Sequence, residues 1–321
     1  MMSKFHAGWG LLALALAAPA AAADLGAKPF RVVVPFTPGS GSDMLGRLIA
    51  PKLAEAFGQQ VVVDNRAGAG STIGTALVAQ ATPDGHTLLV TSSGFAGSAS
   101  IYPKLPYDPF KDFAGITQLI SNPLVLVVAP SFGVKSMKEL IALAKQRPGQ
   151  VTYASTGVGS GTHFGAELFR LAAKFEATHV PYKGVPEALT DTMTGRVNFY
   201  LPPVLTVVPL AREGRVVALA VTSPKRSALL PDVPTPAEAG LPEFSYDGWY
   251  GMFAPGKTPR PVVTRLSQEM QRILDLPEIK DKIVGMGGSA RWTPPEEFDR
   301  MVRSEIQTRA KVFKAAGATS R

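Results

Sequence analysis

The chain has 321 residues, no cysteine, 33 Lys and Arg against 25 Asp and Glu, and a formal charge of +8 at neutral pH. The missing cysteines exclude disulfides, thiol nucleophiles, cysteine-ligated metals and a lipid anchor on a cysteine at a cleavage site. The basic residues form no run longer than two and no aromatic-interleaved stripe, so the charge implies a solvated surface or a mild field for a small anion, not nucleic acid.

Lys4 and His6 precede the apolar run GWGLLALALAAPAAAA, and Ala21-Ala22-Ala23 forms a small-x-small site before Asp24. Residues 1–23 therefore read as a cleaved secretory signal, with export and a mature chain expected to start at Asp24. No later segment approaches the roughly 20 uninterrupted apolar residues of a spanning helix. The length exceeds what one compact core usually fills, so two domains are expected.

The first element is the apolar run from Val32 to Val34, a buried strand. It breaks into a loop of Pro, Gly, Ser and Thr and then into a helix whose Leu45, Leu48, Ile49, Leu53 and Phe57 share one face. Ser42 or Asp43 is placed to cap that helix, and Gly39 and Gly41 let the loop turn its N–H groups outward, an arrangement that suits an anion at the positive end of the helix dipole. QQVVVDN reads as a second strand, RAGAGSTIGTALVAQA as loop and helix, and HTLLVTSSG as a third strand, so the sheet is expected to be parallel. The two apolar runs between 113 and 130, divided by Ser121-Asn122-Pro123, look like a chain crossing between domains.

From Ser136 the βα pattern repeats: SMKELIALAKQ, VTYAS, the loop TGVGSGTH, FGAELFRLAAK, ATHVPY, PEALTDTMTG and VVALAVTS. The proline-dense stretch from Pro224 to Phe244 reads as a long loop. WYGMFAP is a strand leading back, and three helical patterns follow, the last opened by Thr293 with prolines in its first turn. The fold class is therefore α/β, two doubly wound lobes. Domain 1 is expected to take residues 24–123 and 247–321, domain 2 residues 124–246, with a ligand cleft at the carboxyl ends of the strands.

Enzymatic motifs fail on context. Gly251 to Thr258 matches the phosphate-binding pattern G-x-x-x-x-G-K-[ST], but its spacer is apolar and extended and prolines follow, as in a strand and turn. Gly68 to Gly74 approaches the dinucleotide pattern with the third glycine one residue late and no acid at the ribose distance, and reads as a tight βα turn. No serine sits in G-x-S-x-G. The four histidines, at 6, 86, 163 and 179, include no metal-ligand pair, so neither metal nor cofactor is indicated. A secreted α/β hydrolase with an unrecognised nucleophile, or a partner that reports ligand occupancy to a membrane sensor, are the alternatives to a binding protein.

The ordered set VPFTPGSGSDMLGRLIAPKLAEAFGQQVVVDNRAGAGSTIG, PDGHTLLV, YASTGVGSGTHFGAELF, VPYKG, ALAVTSPKRSALLPDVPTPAEAGLPEF and WYGMFAP resembles the successive signatures of the tripartite tricarboxylate transporter substrate-binding receptors, the Bordetella uptake gene (Bug) family. The resemblance spans essentially the whole chain after residue 23. It implies a periplasmic, monomeric receptor of Venus-flytrap fold that closes on a small carboxylate and passes it to a membrane permease. It further implies ligand contacts from Phe36, Thr37, Pro38, Gly39, Ser40, Ser42 and Asp43 in the first βα loop and from Ser92 and Ser93 after the third strand. In the second domain it implies Thr156, Ser160, Thr162 and His163, with Tyr182 of VPYKG; Tyr200 is a further candidate from its own aromatic side chain. Family members commonly carry an acid shortly after the GRV strand. This chain has Pro202 there, which favours a ligand without an amine. Phe199 and Tyr200 either line an aromatic subsite or pack within their strand.

Overall fold

The computed structural model describes residues 25, 27–102 and 104–317; residues 1–23, read from sequence as a secretory signal, and the expected cleavage site lie outside them. The chain begins a six-stranded sheet with β1 (Phe30–Val34), β2 (Val61–Asn65) and β3 (Thr87–Ser92), which alternate with helices α1 (Gly41–Phe57), α2 (Thr72–Ala79) and α3 (Gly94–Ile101). β4 (Phe113–Pro123) then passes through Leu124 directly into β5 (Val125–Val128) of a second, five-stranded sheet. There follow α4 (Met137–Gln146), β6 (Thr152–Ser155), α5 (Gly161–Ala173), β7 (Thr178–Pro181), α6 (Val185–Met193), β8 (Phe199–Tyr200), α7 (Val204–Arg212) and β9 (Val217–Val221). β10 (Asp247–Pro255) returns to the first sheet, and α8 (Arg260–Asp275), α9 (Pro277–Gly285), β11 (Ser289–Ala290) and α10 (Pro295–Ala315) come after it.

The strand orders are β11-β4-β10-β3-β1-β2 and β7-β6-β8-β5-β9. Parallel pairing holds among β1, β2 and β3 and among β6, β7 and β8, but β10 runs antiparallel to β3 and β4, and β5 antiparallel to β8 and β9. Each crossing strand enters its new sheet from the edge at which the parallel strands end, so it must run against them. Both sheets are covered on both faces, which is why their strands read as near-continuous apolar runs. Successive residues divide accordingly: Val32 and Val34 pack under α1 and α8, and Val33 on the opposite face with α10; Leu126 and Val128 pack with α5, and Val125 and Val127 with α6 and α7.

Thr222, just past β9, joins the two crossings. Its N–H donates to the Leu124 carbonyl (2.8 Å), its hydroxyl accepts from the Leu124 N–H (2.9 Å) and donates to the Tyr246 carbonyl (2.5 Å), and its carbonyl accepts from the Tyr246 N–H (2.8 Å).

α10 packs into both lobes. Phe298, Val302 and Ile306 belong to the first lobe's core, whereas Val312 and Phe313 belong to the second's. Between them Arg309 is fully buried. Its guanidinium bonds to Glu305 (2.8 Å), donates to the Tyr246 hydroxyl (2.9 Å), reaches the Gly159 carbonyl (3.5 Å) and lies 4.2 Å from the Phe164 ring centroid. The Trp249 indole N–H donates to the other oxygen of Glu305.

Beside this network runs a column of rings, Phe199, Tyr153, His179, His163 and Phe313, with the two imidazoles parallel at 4.1 Å. Burial pushes His163 down to about 3, assisted by His179, Arg309 and Arg170; burial likewise pushes His179 down to about 4 against the pull of Glu167. Both rings are neutral at pH 7.

Glu305→Ala is expected to destabilise the fold by about 3–5 kcal/mol, because it strands a buried guanidinium, and Glu305→Leu combined with Arg309→Met by much less. Urea midpoints for wild type and both variants check this; equal losses would show that the charges are not the issue. Acid provides a second test. Unfolded histidines bind protons below about pH 6.5, whereas the folded rings do so only near 4 and 3, so stability is full above pH 6.5 and falls as pH drops toward 4, by up to about 1.4 kcal/mol per pH unit per ring. Denaturation at a series of pH values should show that slope, and His179→Phe should flatten it.

Candidate functional site

Between the lobes lies a cavity of about 410 Å³. Its walls carry Phe36, Ser40, Gly70, Ser71, Ser92, Ser93, Gly94 and Ser98 from the first lobe and Thr156, Gly159, Ser160, Thr162, Lys183 and Gly184 from the second. Asn122, Leu124, Tyr246, Gly248, Trp249 and Tyr250 of the crossing strands also line it. Six helices begin here among the described residues: the N-cap residues of α1, α2, α3, α5, α6 and α7, namely Ser40, Ser71, Ser93, Ser160, Gly184 and Pro203, all line the cavity. The topology dictates this convergence, since parallel strands end at the cleft edge and the helices that follow them start there. Each start presents unpaired backbone N–H groups and the positive end of a helix dipole.

The cap of α1 is Ser40, not Ser42 or Asp43. The Ser40 hydroxyl accepts from the Asp43 N–H at 3.3 Å, which leaves its own proton for the cleft. The Asp43 carboxylate instead accepts from the Gly39 N–H (2.8 Å), Arg47 (3.0 Å) and Asn65 (3.0 Å). Burial opposes its charge, but these donors outweigh burial and hold the carboxyl below its usual range. Asp43 thus sets the loop's shape from behind. α5 is built alike: the Ser160 hydroxyl accepts from the His163 N–H (3.1 Å), and Thr162 bonds to both Ser160 (3.0 Å) and Thr156 (3.1 Å).

Of the residues singled out from sequence, Phe36, Ser40, Ser92, Ser93, Thr156, Ser160 and Thr162 meet in the cleft lining, and eight do not. Thr37, Pro38 and Gly39 are exposed on the loop outside the lining, and Ser42 and Asp43 are buried behind it. A side chain at Gly39 would meet nothing within 4 Å, so its need for glycine comes from φ +81° and not from ligand clearance. His163 is buried in the ring column, its Nδ1 accepting from the Gly159 N–H at 3.1 Å. The Tyr182 hydroxyl turns away to donate to Asp191 at 2.9 Å. Phe199 and Tyr200 lie in the cores on opposite faces of the second sheet, where strand alternation sends adjacent side chains, so neither forms an aromatic subsite.

Sequence reasoning missed the loop before α2. Gly68 to Gly74 is a βα turn with close packing, since a side chain at Gly74 would come within 2.6 Å of the Arg66 carbonyl. Yet Gly70 and Ser71 also line the cleft. Ala69, Gly70 and Ser71 all take positive φ, and the Ser71 hydroxyl is buried without a hydrogen-bond partner. Two glycines and serines before a helix were the available signal, and it is hidden when the motif is judged only against dinucleotides. Tyr246 and Trp249, brought in by the return strand, carried no local signal. Gly251 to Thr258 is strand and turn, with Gly256 pressed against the Lys111 carbonyl.

The Tyr246 hydroxyl accepts from Arg309 and shares a hydrogen bond of 2.9 Å with the Ser93 hydroxyl, which ties Ser93 to the buried network behind the wall. Burial pushes the Tyr246 phenol up, despite Arg309, and keeps it neutral. The cleft is thus rich in neutral donors, and among the described residues its lining holds no carboxylate. No group of three or more potential metal-ligating side chains occurs among the described residues.

Residues 45–317 match the family described as the tripartite tricarboxylate transporter family receptor, TctC. The chain is 35% identical to protein BugT of Bordetella pertussis over 94% of each chain. It resembles the structure of R. palustris Rpa4515 with adipate at TM-score 0.81 and 35% identity, covering 92% of this chain and 99% of that one. It also resembles MatC (Rpa3494) from Rhodopseudomonas palustris with bound malate, at TM-score 0.76 and 32% identity over 89% and 98%. The chain belongs to the tripartite tricarboxylate transporter receptors, as a solute-binding protein of the Bug family with the two-lobed α/β fold of periplasmic binding proteins.

Proposed function

We propose that this chain captures a small carboxylate in the interdomain cleft, in the periplasm and as a monomer, and delivers it to a tripartite tricarboxylate-type permease without chemical change. The lobes divide as residues 24–123 with 247–321 and residues 124–246. The observation that carries this reading is the convergence of six helix N-termini on one hydroxyl-rich cavity whose lining, among the described residues, has no carboxylate. Such a surface stabilises an anion and offers an ammonium group no opposite charge. Ser40, Ser71, Ser92 and Ser93 hold the ligand from the first lobe, and Thr156, Ser160 and Thr162 from the second. The related receptors seen with adipate and malate support the ligand class. A hydrolase needs an accessible nucleophile paired with a base: the Ser155 hydroxyl lies 2.6 Å from His179 Nε2 but is fully buried outside the cavity lining, and His163 has its Nδ1 engaged by the Gly159 N–H.

A thermal-shift screen of mono-, di- and tricarboxylates tests the reading. A true ligand at a hundredfold excess over Kd should stabilise the protein by about 2.7 kcal/mol, bind one per chain and be recovered unchanged. Turnover of any ligand, or no binding across the series, would refute it. Ser40→Ala should act twice, lowering stability by about 1 kcal/mol through the lost cap and ligand affinity by about tenfold or more through the lost hydroxyl donor. Melting temperature and calorimetric titration read the two effects separately; unchanged affinity would remove Ser40 from the site.

A further inference from the structure

A second cavity, of about 680 Å³, lies across the hinge from the cleft. In the first sheet the crossing strands β4 and β10 have β3, β1 and β2 on one side, whose following helices open on the cleft, and β11 on the other; in the second sheet β9 is the edge strand beyond β5. Residues 287–291 around β11 form one wall of this groove and residues 223–229, just past β9, form the other, with Ser121, Pro123 and Asp247 of the crossings between them. The lobes touch on this side where Gly287 meets Leu205 of α7, so closely that a side chain on Gly287 would lie 2.6 Å from the Leu205 nitrogen. Cleft and groove flank one axis. Turning the lobes together over the cleft therefore lifts Gly287 from Leu205 and widens the groove.

Each wall offers an exposed cation and a hydroxyl. Lys225 and Ser227 stand on the second lobe. Ser289 and Arg291 stand on the first, two residues apart in a run that keeps pairing with β4 through the Arg291 N–H and the Leu119 carbonyl (3.0 Å), and therefore on one face. The Ser227 hydroxyl accepts from the Leu229 N–H (3.3 Å), which leaves its proton to donate. Arg226 serves its own loop, bound to Glu238 (2.9 Å) and to the Pro231 carbonyl (2.9 Å). Asp247 is the one carboxylate of the lining among the described residues; the Ser121 hydroxyl engages it at 2.6 Å, and burial pushes it up against the pull of that bond and of Arg291. The carbonyls at the end of α9, which would repel an anion, are capped by the N–H groups of Met286, Gly287 and Gly288.

We propose that the groove is a second binding site, for a compact anion with two charged ends of the diphosphate class, and that its occupancy opposes closure of the cleft. A phosphoryl group suits a guanidinium fork or an ammonium, each with a hydroxyl beside it, so one end meets Arg291 and Ser289 and the other Lys225 and Ser227. On their own the cations of the two walls repel and favour a wider groove; a bridging dianion reverses the sign and draws the walls together. By linkage, closure of the cleft weakens the anion as much as the anion opposes closure. The site does not depend on what the cleft binds.

The probe is pyrophosphate, titrated calorimetrically into wild type, into Lys225→Gln combined with Arg291→Gln, and into Ser40→Ala as a control at the cleft. Both cations are exposed, so the fold should be kept, and melting temperature checks this. Wild type should take up a pyrophosphate that Ser40→Ala binds equally well and the double variant about tenfold or more weakly, with added salt weakening it in wild type. No binding, binding unchanged in the double variant, or binding lost only with Ser40→Ala would overturn the site. The chain has no cysteine, so nitroxide labels can be placed at Met44→Cys in α1 and Glu187→Cys in α6, exposed first-turn positions on either side of the cleft and outside its lining. Pulsed dipolar spectroscopy should show pyrophosphate moving the distances between the labels toward their long end, and not doing so once Lys225 and Arg291 are both glutamine. Bound pyrophosphate with unchanged or shorter distances would overturn the opposition to closure.

Discussion

A buried guanidinium holds this molecule's lobes in register. Arg309 has no access to water, and a cation in that position is tolerated only where charge and hydrogen bonds replace its hydration. The replacements come from different parts of the chain: Glu305 one helical turn away, the Tyr246 hydroxyl from the return crossing, the Gly159 carbonyl from the second lobe and the Phe164 ring from α5. Because all of them must be in place together, the position of α10 fixes the position of the Gly159 loop. Gly97 of α3 approaches that loop so closely that a side chain there would lie 2.0 Å from the Gly159 carbonyl. The back wall of the cleft is therefore set by one desolvated charge and one missing side chain.

That charge does not serve as an anion partner. Glu305 neutralises it, and its influence reaches the cleft through hydroxyl groups: Arg309 donates to Tyr246, which orients Ser93. The same logic recurs at Asp43, whose carboxylate is saturated by Gly39, Arg47 and Asn65 and presents only loop shape to the cavity. Charges that build the site are paired out of sight, and apart from Lys183 the surface offered to a ligand is made of dipoles. Dipoles fixed by a scaffold need no reorganisation when an anion arrives, and they leave no desolvated cation behind when it departs. A transport receptor must release what it binds, so this economy of charge is suited to the task.

What the sequence made legible follows from where the information is local. The alternation of apolar runs and amphipathic helices gave β1 to β3, the crossings at 124 and 246 and the serine loops, because each is encoded within a few residues. α3, built of GFAGSASI, and α7, with Pro209 inside it, were missed because small residues and a proline blur the helical period. Tyr200 was misplaced for a related reason: β8 is two residues long, too short to show that both of its faces are covered. The cap of α1 was assigned to the wrong side chain because Ser40, Ser42 and Asp43 are all competent, and only the start of the helix at Gly41 selects Ser40. Nothing local marks Tyr246 or Trp249, since their role arises from β10 pairing with β3 and β4 far away in sequence.

The hinge sets a further constraint. Both crossings are tied to Thr222 by four backbone and hydroxyl bonds, so they cannot shear independently and any change in lobe angle must turn about that junction. Beyond it α10 packs on α5 through Arg309, Val312 and Phe313, α3 packs against the Gly159 loop through Gly97 and Ile101, and Gly287 abuts Leu205 of α7. Resistance to bending is therefore concentrated at the back wall, close to the axis, where a small rotation changes distances least. Rigid-body rotation is a general way for two-lobed proteins to close on a solute, and here it has to turn about the Thr222 junction while Arg309 and Gly97 hold the Gly159 loop, so the back wall limits how far the lobes can turn.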